Sequence, residues 1–263
     1  MEKAVAYRTI IYEERDRIGS ITLNRPEKRN ALSLELLREM DECLRDAGKK
    51  RSAKVLIVRG RGDHFCAGHD LNEIREGALP DIHRLFETCL ELMMRIQRIP
   101  QPVIAQVRGT ATAAGCQLVA ACDLAVAEEG ARFATPGVRI GLFCSTPMIP
   151  LSRNVGRKRA LEMLLTGRFV SAREACEYGL VNRVVPDDRL EDETWSLAKD
   201  MARYSLNTLG IGKQAFYRQV PMDEERAYYY AREVISANAL LPDAKEGISA
   251  FLEKRDPVWE EDQ

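Results

Sequence analysis

The stretch from Val103 to Asp123, VIAQVRGTATAAGCQLVAACD, constrains the fold of this chain more than any other. It opens as a short apolar strand, Val103 to Val107, and turns through Gly109. An alanine-rich helical run follows from about Ala113 to Ala121, and another strand starts near Asp123. Strand, tight turn and helix in so few residues form the unit of an α/β protein. Ala111, Ala113, Ala114 and Gly115 leave the turn's backbone open to close approach. The first N–H groups of a helix have no partner within it, so they can hold partial negative charge. That layout suits an oxyanion-binding site. A helix that starts with small residues for packing alone has the same sequence, and both readings stand at this point.

The preceding chain reads as strands at Thr9 to Glu13 and Ile18 to Leu23, joined by the polar turn Glu14–Gly19. The polar, proline-containing segment Asn24 to Asn30 is a loop. Ser33 caps a helix carrying Leu36, Leu37, Met40 and Leu44 at helical spacing. Lys54 to Val58 is a buried strand. Phe65-Cys66-Ala67-Gly68-His69-Asp70-Leu71 is a second small-residue turn that opens a helix, with Asp70 placed to cap it. A helix over Ile82 to Ile99 stops before Pro100 and Pro102. Beyond Asp123 come a strand from Leu124 to Ala127, an extended piece near Phe133, and a largely irregular segment from Pro136 to Pro150. A helix over Arg157 to Leu165, the capping box Ser171-x-x-Glu174 and a short extended segment Val181 to Val185 complete the core. From Asp188 the chain is almost wholly helical, with expected interruptions around Gly210–Gly212 and Pro221 and a second capping box at Asp243-x-x-Glu246. The expected organisation is an α/β core over 1–187 and a helical region over 188–263, whose apolar Tyr228-Tyr229-Tyr230, Ile235 and Leu240-Leu241 pack on the core or on another subunit.

If the strands before the two small-residue turns lie parallel in one layer, both turns emerge at one edge. One N–H group from each can then converge on a single carbonyl oxygen and stabilise charge that develops there. A pair of tight, well-packed turns is the alternative. A formal net charge of -1 argues against a nucleic-acid surface. No apolar run is long enough to span a membrane. The seven cysteines, at 43, 66, 89, 116, 122, 144 and 176, and the three histidines, at 64, 69 and 83, form no metal motif, and suggest reduced thiols in a cytosolic or organelle-matrix setting. The N-terminus MEKAVAYRTI shows no signal or presequence character, so the expected location is the cytoplasm, or the mitochondrial matrix if a presequence lies outside this sequence.

The ordered pieces Ile21 to Pro26 with Asn30-Ala31-Leu32, Phe65 to Leu71, Pro102 to Ala105 with Gly109, Gly115-Cys116-Gln117-Leu118, Cys122-Asp123-Leu124, Leu165-Thr166-Gly167, Gly179-Leu180-Val181 and Glu246 to Arg255 span nearly the whole chain. In this combination the chain resembles the enoyl-CoA hydratase/isomerase (crotonase) family. The resemblance implies a ClpP/crotonase-like α/β spiral of ββα units with a C-terminal helical region, and a homotrimer or dimer of trimers. It implies binding of an acyl-CoA thioester, with coenzyme A arriving as part of the substrate and no tightly bound cofactor or metal. The oxyanion donors fall at the N–H groups of His69 and Ala114, the latter where the family usually has glycine. The first catalytic glutamate of a hydratase falls at Gln117 and the second at Gly137. A position that holds an aspartate in related isomerases and dehalogenases falls at Ser145. None of the three is acidic here, and a glutamine cannot exchange a proton at neutral pH. Gln117 and Ser145 remain as hydrogen-bonding groups, and the His69 side chain is a candidate base. By the same resemblance the coenzyme A portion is met mainly by backbone, at the turn of Phe65, Ala67 and Gly68, with charged help from Lys28 or Arg29 and from Lys254 near the tail, in one reading across a subunit boundary.

Two functions follow from the resemblance. One is an enzyme that stabilises a thioester enolate, nominally an enoyl-CoA hydratase, with isomerisation, decarboxylation or thioester hydrolysis as alternatives. The other is a non-catalytic acyl-CoA-binding or regulatory relative.

Overall fold

The structure, a computed structural model, describes residues 7–260. Residues 1–6, the start of the N-terminal stretch without targeting character, lie outside the described residues.

Strands β1 (Ile10–Arg15) and β2 (Ile18–Leu23) pair antiparallel around Asp16 and Arg17, both at positive φ. Helix α1 (Leu34–Lys50) starts where the Ser33 side chain accepts from the Leu36 N–H, and it buries Leu36, Leu37, Met40 and Leu44 as their spacing requires. Strand β3 (Val55–Gly60) leads through a long loop to the short helix α2 (Leu71–Glu76) and then to α3 (Leu79–Arg98). Helix α3 begins three residues before the expected Ile82, with Pro80 in its first turn, where a missing N–H costs nothing. Strand β4 (Val103–Val107), the very short β5 (Thr110–Thr112) and helix α4 (Ala114–Ala121) follow. Next come β6 (Leu124–Glu128), β7 (Arg132–Ala134), α5 (Met148–Asn154), α6 (Arg157–Thr166), β8 (Val170–Ser171), α7 (Ala172–Tyr178) and β9 (Arg183–Val185). Four helices follow among the described residues: α8 (Leu190–Ala202), α9 (Leu206–Gln219), α10 (Glu224–Asn238) and α11 (Pro242–Glu253).

The main sheet has six strands in the order β1-β2-β3-β4-β6-β9, parallel except for the first pair. A second sheet, β5-β7-β8, has strands too short to show periodicity in the sequence. One face of the main sheet packs with α1, α3 and α4 into the larger core, where each fully buried Leu or Ile contributes about 1.5–3 kcal/mol. The other face, with Ile18, Val55, Ile57, Ile104 and Val126, is covered by Leu190 and Ala198 of α8. This α/β spiral with a C-terminal helical region is the architecture that the family resemblance implies.

Two sequence expectations fail in the helical region. Helix α9 runs unbroken through Gly210 and Gly212. Gly210 lies against Pro100, where a Cβ would come within 2.7 Å of the Pro100 side chain, so the glycine serves close packing and not a break. Asp243 does not form a capping box with Glu246. Its carboxylate is buried and accepts from the Ser205 hydroxyl at 2.6 Å, the Asn207 amide at 3.0 Å and the Glu260 N–H at 2.9 Å. Glu246 instead pairs with Arg255 at 2.6 Å.

Candidate functional site

Strands β3 and β4 are parallel neighbours, in register from Leu56 with Val103 to Arg59 with Gln106, so the loops after them leave the sheet at the same edge. Beyond that edge the two loops are stitched together. Cys66 bridges to Ala111: the Cys66 N–H donates to the Thr110 carbonyl at 3.1 Å and the Thr112 N–H to the Cys66 carbonyl at 2.9 Å. The Thr112 hydroxyl donates to the Ala67 carbonyl at 3.0 Å. Gly115 packs so closely that a Cβ there would lie 2.2 Å from the Cys66 carbonyl oxygen. A third strand-like segment joins them. The Leu32 N–H donates to the Gly68 carbonyl at 2.7 Å and the Asp70 N–H to the Leu32 carbonyl at 3.0 Å. Because successive residues of an extended chain present their polar groups to opposite sides, His69 directs its N–H away from Leu32.

On that other side lies the start of α4. Gly68, at φ +101, is so near that a Cβ on it would stand 3.5 Å from the Ala114 nitrogen. Ala113 takes φ 50 and ψ -117, a conformation costly for a residue with a side chain, and its own N–H donates to the Ala134 carbonyl at 2.9 Å. The peptide that follows presents Ala114, the first residue of α4, whose N–H has no acceptor within the helix. His69 and Ala114 are thus brought together by three interlocked backbone segments.

Both residues line a cleft of about 750 Å³. Its wall is mainly apolar, built from Leu71 and Ile74 of α2, Phe86 of α3, and Ile140, Leu142, Phe143 and Pro147 from the segment after β7. Two exposed cations, Lys28 and Arg139, stand among the lining residues. Among the described residues, the one lining carboxylate is Asp70. Its side chain pairs with Arg25 at 3.0 Å and accepts from the Asn72 N–H at 3.2 Å as the cap of α2. Burial alone would raise the Asp70 carboxyl, but the hydrogen bonds from Arg25 and Asn72 outweigh it and hold its pKa below the ordinary value. Asp70 is committed to structure and ionised, which makes it a poor proton carrier.

The His69 ring lies edge-on to Phe86, with centroids 5.1 Å apart and planes at 83°. Both ring nitrogens are buried without a hydrogen-bond partner. Burial pushes its pKa down to about 4, against a smaller opposing pull from the Leu32 backbone, so the imidazole is neutral at physiological pH. Cys144 lines the cleft, and burial raises its thiol, which remains protonated.

The other sequence candidates separate into two groups. Ser145, Lys28 and Ala67 line the cleft, and the Ser145 hydroxyl donates weakly to the Phe143 carbonyl at 3.4 Å. Gln117 lies one turn along α4 from Ala114, buried, with its Oε1 unpartnered, and is not among the lining residues. Phe65 is wholly buried in the core, so its ring offers no surface to a ligand. Gly68 contributes its carbonyl to the Leu32 bridge, and the Arg29 carbonyl accepts from the Ala67 N–H at 3.0 Å; neither lines the cleft. Lys254 ends α11 in a left-handed conformation, exposed and outside the cleft wall. Gly137 lines the cleft, but a Cβ there would fall 2.2 Å from the Leu142 carbonyl oxygen and 2.9 Å from the Cys144 sulfur. No side chain fits at this position without moving the loop. Sequence reading passed over Ile74, Leu142 and Phe143; their one signal is large apolar residues in or beside irregular segments. Among the described residues no group of three or more His, Cys, Asp or Glu side chains could hold a metal ion, and no helix is long and apolar enough to cross a membrane.

Fold and site together define a crotonase-like α/β protein with two adjoining turns at one end of a mainly parallel sheet. The Enoyl-CoA hydratase/isomerase family matches residues 13–262, and the chain belongs to that family. It is 48% identical over 245 residues to the human protein named enoyl-CoA hydratase domain-containing protein 3, mitochondrial, covering 93% of this chain and 81% of the relative. The 2,3-dehydroadipyl-CoA hydratase of Escherichia coli is 36% identical over 249 residues, covering 94% of this chain and 97% of that protein. The crystal structure of an enoyl-CoA hydratase from Mycobacterium smegmatis superposes with a TM-score of 0.93 at 47% identity, over 96% of this chain and 99% of the other.

Proposed function

We propose that the protein is an enzyme that binds acyl-CoA thioesters and stabilises a thioester enolate between the His69 and Ala114 N–H groups. The observation that supports this most is the pair of interlocked turns: they bring a strand N–H turned away from its ladder beside an uncapped helix N–H, at the wall of an apolar cleft. Such donors act where charge develops, and each is worth roughly 2.7–4 kcal/mol of barrier. Lys28 and Arg139 stand where they can meet the phosphates of the coenzyme A portion. The exposed Tyr228, Tyr229 and Ile235 of α10 suit a subunit interface of a homotrimer or dimer of trimers. The mitochondrial name of the human relative favours the mitochondrial matrix over the cytoplasm as the working location.

The family's nominal reaction, hydration of an enoyl-CoA, needs a group to activate water and a group to manage the proton at the neighbouring carbon. Gln117 offers no exchangeable proton, Gly137 has no side chain, and Asp70 is engaged by Arg25. Reactions that start without a protein base fit the cleft better. In decarboxylation the breaking C–C bond leaves its electron pair on the carbon next to the thioester, and the oxyanion donors take up the charge. Isomerisation and thioester hydrolysis are further candidates of the same site. The missing carboxylates also favour a second reading, a non-catalytic acyl-CoA-binding or regulatory protein.

Turnover on crotonyl-, 3-enoyl-, dienoyl- and malonyl-type CoA esters separates the two. The enzymatic reading expects product from at least one ester; tight binding without product from any leaves the binding protein. In Gln117→Glu we expect no gain of hydration, because position 137 has no room for the second carboxylate.

A further inference from the structure

Several side chains that line the cleft beyond the two donors are large, apolar and open to solvent. Ile140 is 58% exposed, Phe143 45%, Leu142 41% and Leu71, on α2, 53%. A loose loop does not account for this display. The turn that carries the first three, with Gly141 at φ +77, is closed by the Leu142 N–H donating to the Gly137 carbonyl at 3.0 Å, and the Ser145 N–H donates to the Phe143 carbonyl at 2.7 Å. Leu71 and Ile74 are three residues apart on α2, so they share one side of that helix. None of these side chains can donate or accept a hydrogen bond. They therefore cannot satisfy the phosphates and amides of a coenzyme A arm, and suit a hydrocarbon. Apolar surface gathered in a concave place is the usual mark of a ligand groove.

We propose that these residues form an acyl-chain trough, and that Leu142 and Phe143, with Leu71, make the cleft prefer medium and long apolar acyl chains over short or charged ones. This rests on the thioester reading above and names the substrate class of that site. His69 and Ala114 line the same cleft, so a carbonyl held by their N–H groups has its acyl substituent inside it. A short acyl group stays beside the donors. A longer one lies against the apolar wall and removes both surfaces from water. Full burial strengthens binding by about fourfold per methylene. The exposure of Ile140, Leu142, Phe143 and Leu71 leaves the trough open to solvent on one side, so the expected gain is about twofold per methylene. A carboxylate at the chain end would be desolvated against this wall with no compensating bond from it.

The test is calorimetric binding of acetyl-, butyryl-, hexanoyl-, octanoyl- and adipyl-CoA to the full chain. We expect octanoyl-CoA to bind at least about tenfold tighter than butyryl-CoA. That ratio should fall below about threefold in the double variant Leu142→Ser with Phe143→Ser, while acetyl-CoA binding stays unchanged. It should persist in Leu165→Ser, which alters an exposed leucine of α6 outside the cleft. Leu71→Ser gives a second reading of the same trough if the double variant does not fold. Equal binding of butyryl- and octanoyl-CoA overturns the proposal and leaves the thioester reading intact. Tighter binding of adipyl- than of hexanoyl-CoA overturns it in favour of a charged chain end. A ratio that survives in the double variant, or falls as far in Leu165→Ser, removes the trough from its role. Failure of every ester to bind removes the thioester reading itself.

Discussion

Polar groups are buried at both ends of strand β4, and they are treated in opposite ways. At its start, Asp123 accepts from the Val103 N–H at 2.7 Å, the Tyr217 hydroxyl at 2.9 Å and the Lys213 ammonium at 2.7 Å. Lys213 completes its three bonds on the Ile96 and Gln101 carbonyls, at 2.6 and 2.7 Å. At the other end, by the cleft, the two His69 nitrogens, the Gln117 Oε1 and the Thr135 hydroxyl are buried without partners. They make up four of the seven such side-chain atoms among the described residues. The Asp123 cluster fastens α9 to the core with every bond of Asp123 and Lys213 made, although the Oε1 of the adjoining Gln101 is buried without a partner. The end toward the cleft keeps buried groups unpaired, and of these only His69 belongs to a residue that lines the cleft.

Breaking the satisfied cluster should have the largest effect. Burial pushes the Asp123 carboxyl up and the Lys213 ammonium down, and each is drawn back by the other's charge. Lys213→Met leaves a buried carboxylate without its cation, which costs about 3–5 kcal/mol. Urea denaturation reads this directly. A loss below about 1 kcal/mol would mean that the cluster is incidental, and the contrast with the cleft would go with it.

A pH titration probes the other side of the comparison. The folded pKa of His69, about 4, lies below its ordinary value of 6.5. Between these limits the unfolded chain binds the extra proton, so stability falls as pH is lowered from about 6.5 to about 4, at up to about 1.4 kcal/mol per unit. Below about 4 the folded protein binds the proton as well, and this loss stops. The slope should be missing from the difference between the unsubstituted protein and His69→Gln above pH 6.5, and present below it. A flat difference across the window would place the ring in water.

Substituting an unpartnered group should not destabilise the fold at all. Gln117→Leu removes a buried amide oxygen that bonds nothing, and we expect a stability change within about 1 kcal/mol, toward gain. A loss of more than about 2 kcal/mol would show that the amide has a structural partner after all.

This contrast also explains what the sequence could disclose. The strands and helices of the core follow from local periodicity and caps: Ser33, Asp70 and Ser171 each accept from the helix they begin. The three-residue strands β5 and β7 and the two-residue β8 are too short for any period, so the second sheet was visible only at Phe133. Gly210 and Asp243 misled for a common reason. Their local grammar reads as break and cap, while Pro100 and Ser205, distant in sequence, decide their roles. The close approach of the turns that carry the proposed donors, His69 and Ala114, was legible because it demands small residues such as Gly68 and Gly115 around it. The cleft wall was not, because Phe86, Ile74 and Leu142 meet only in three dimensions. Phe65 and Lys254 show the limit of position in a motif, since the Phe65 ring is buried and Lys254 stands outside the cleft wall of its own chain.

The smallest expected effect concerns the strain that distinguishes the cleft's backbone. Ala113 holds φ 50 and ψ -117 between its bond to Ala134 and the start of α4. A non-glycine residue in such a region costs about 1–3 kcal/mol. Replacing alanine by glycine gives back about 0.4–1 kcal/mol through the greater freedom of the unfolded chain. Ala113→Gly should therefore stabilise the protein by about 0.5 kcal/mol or slightly more, measured as a rise in the urea midpoint at constant slope. If the midpoint falls instead, Ala113 sits in an ordinary conformation, the peptide before Ala114 is turned differently, and the convergence of the two N–H groups loses its geometric basis.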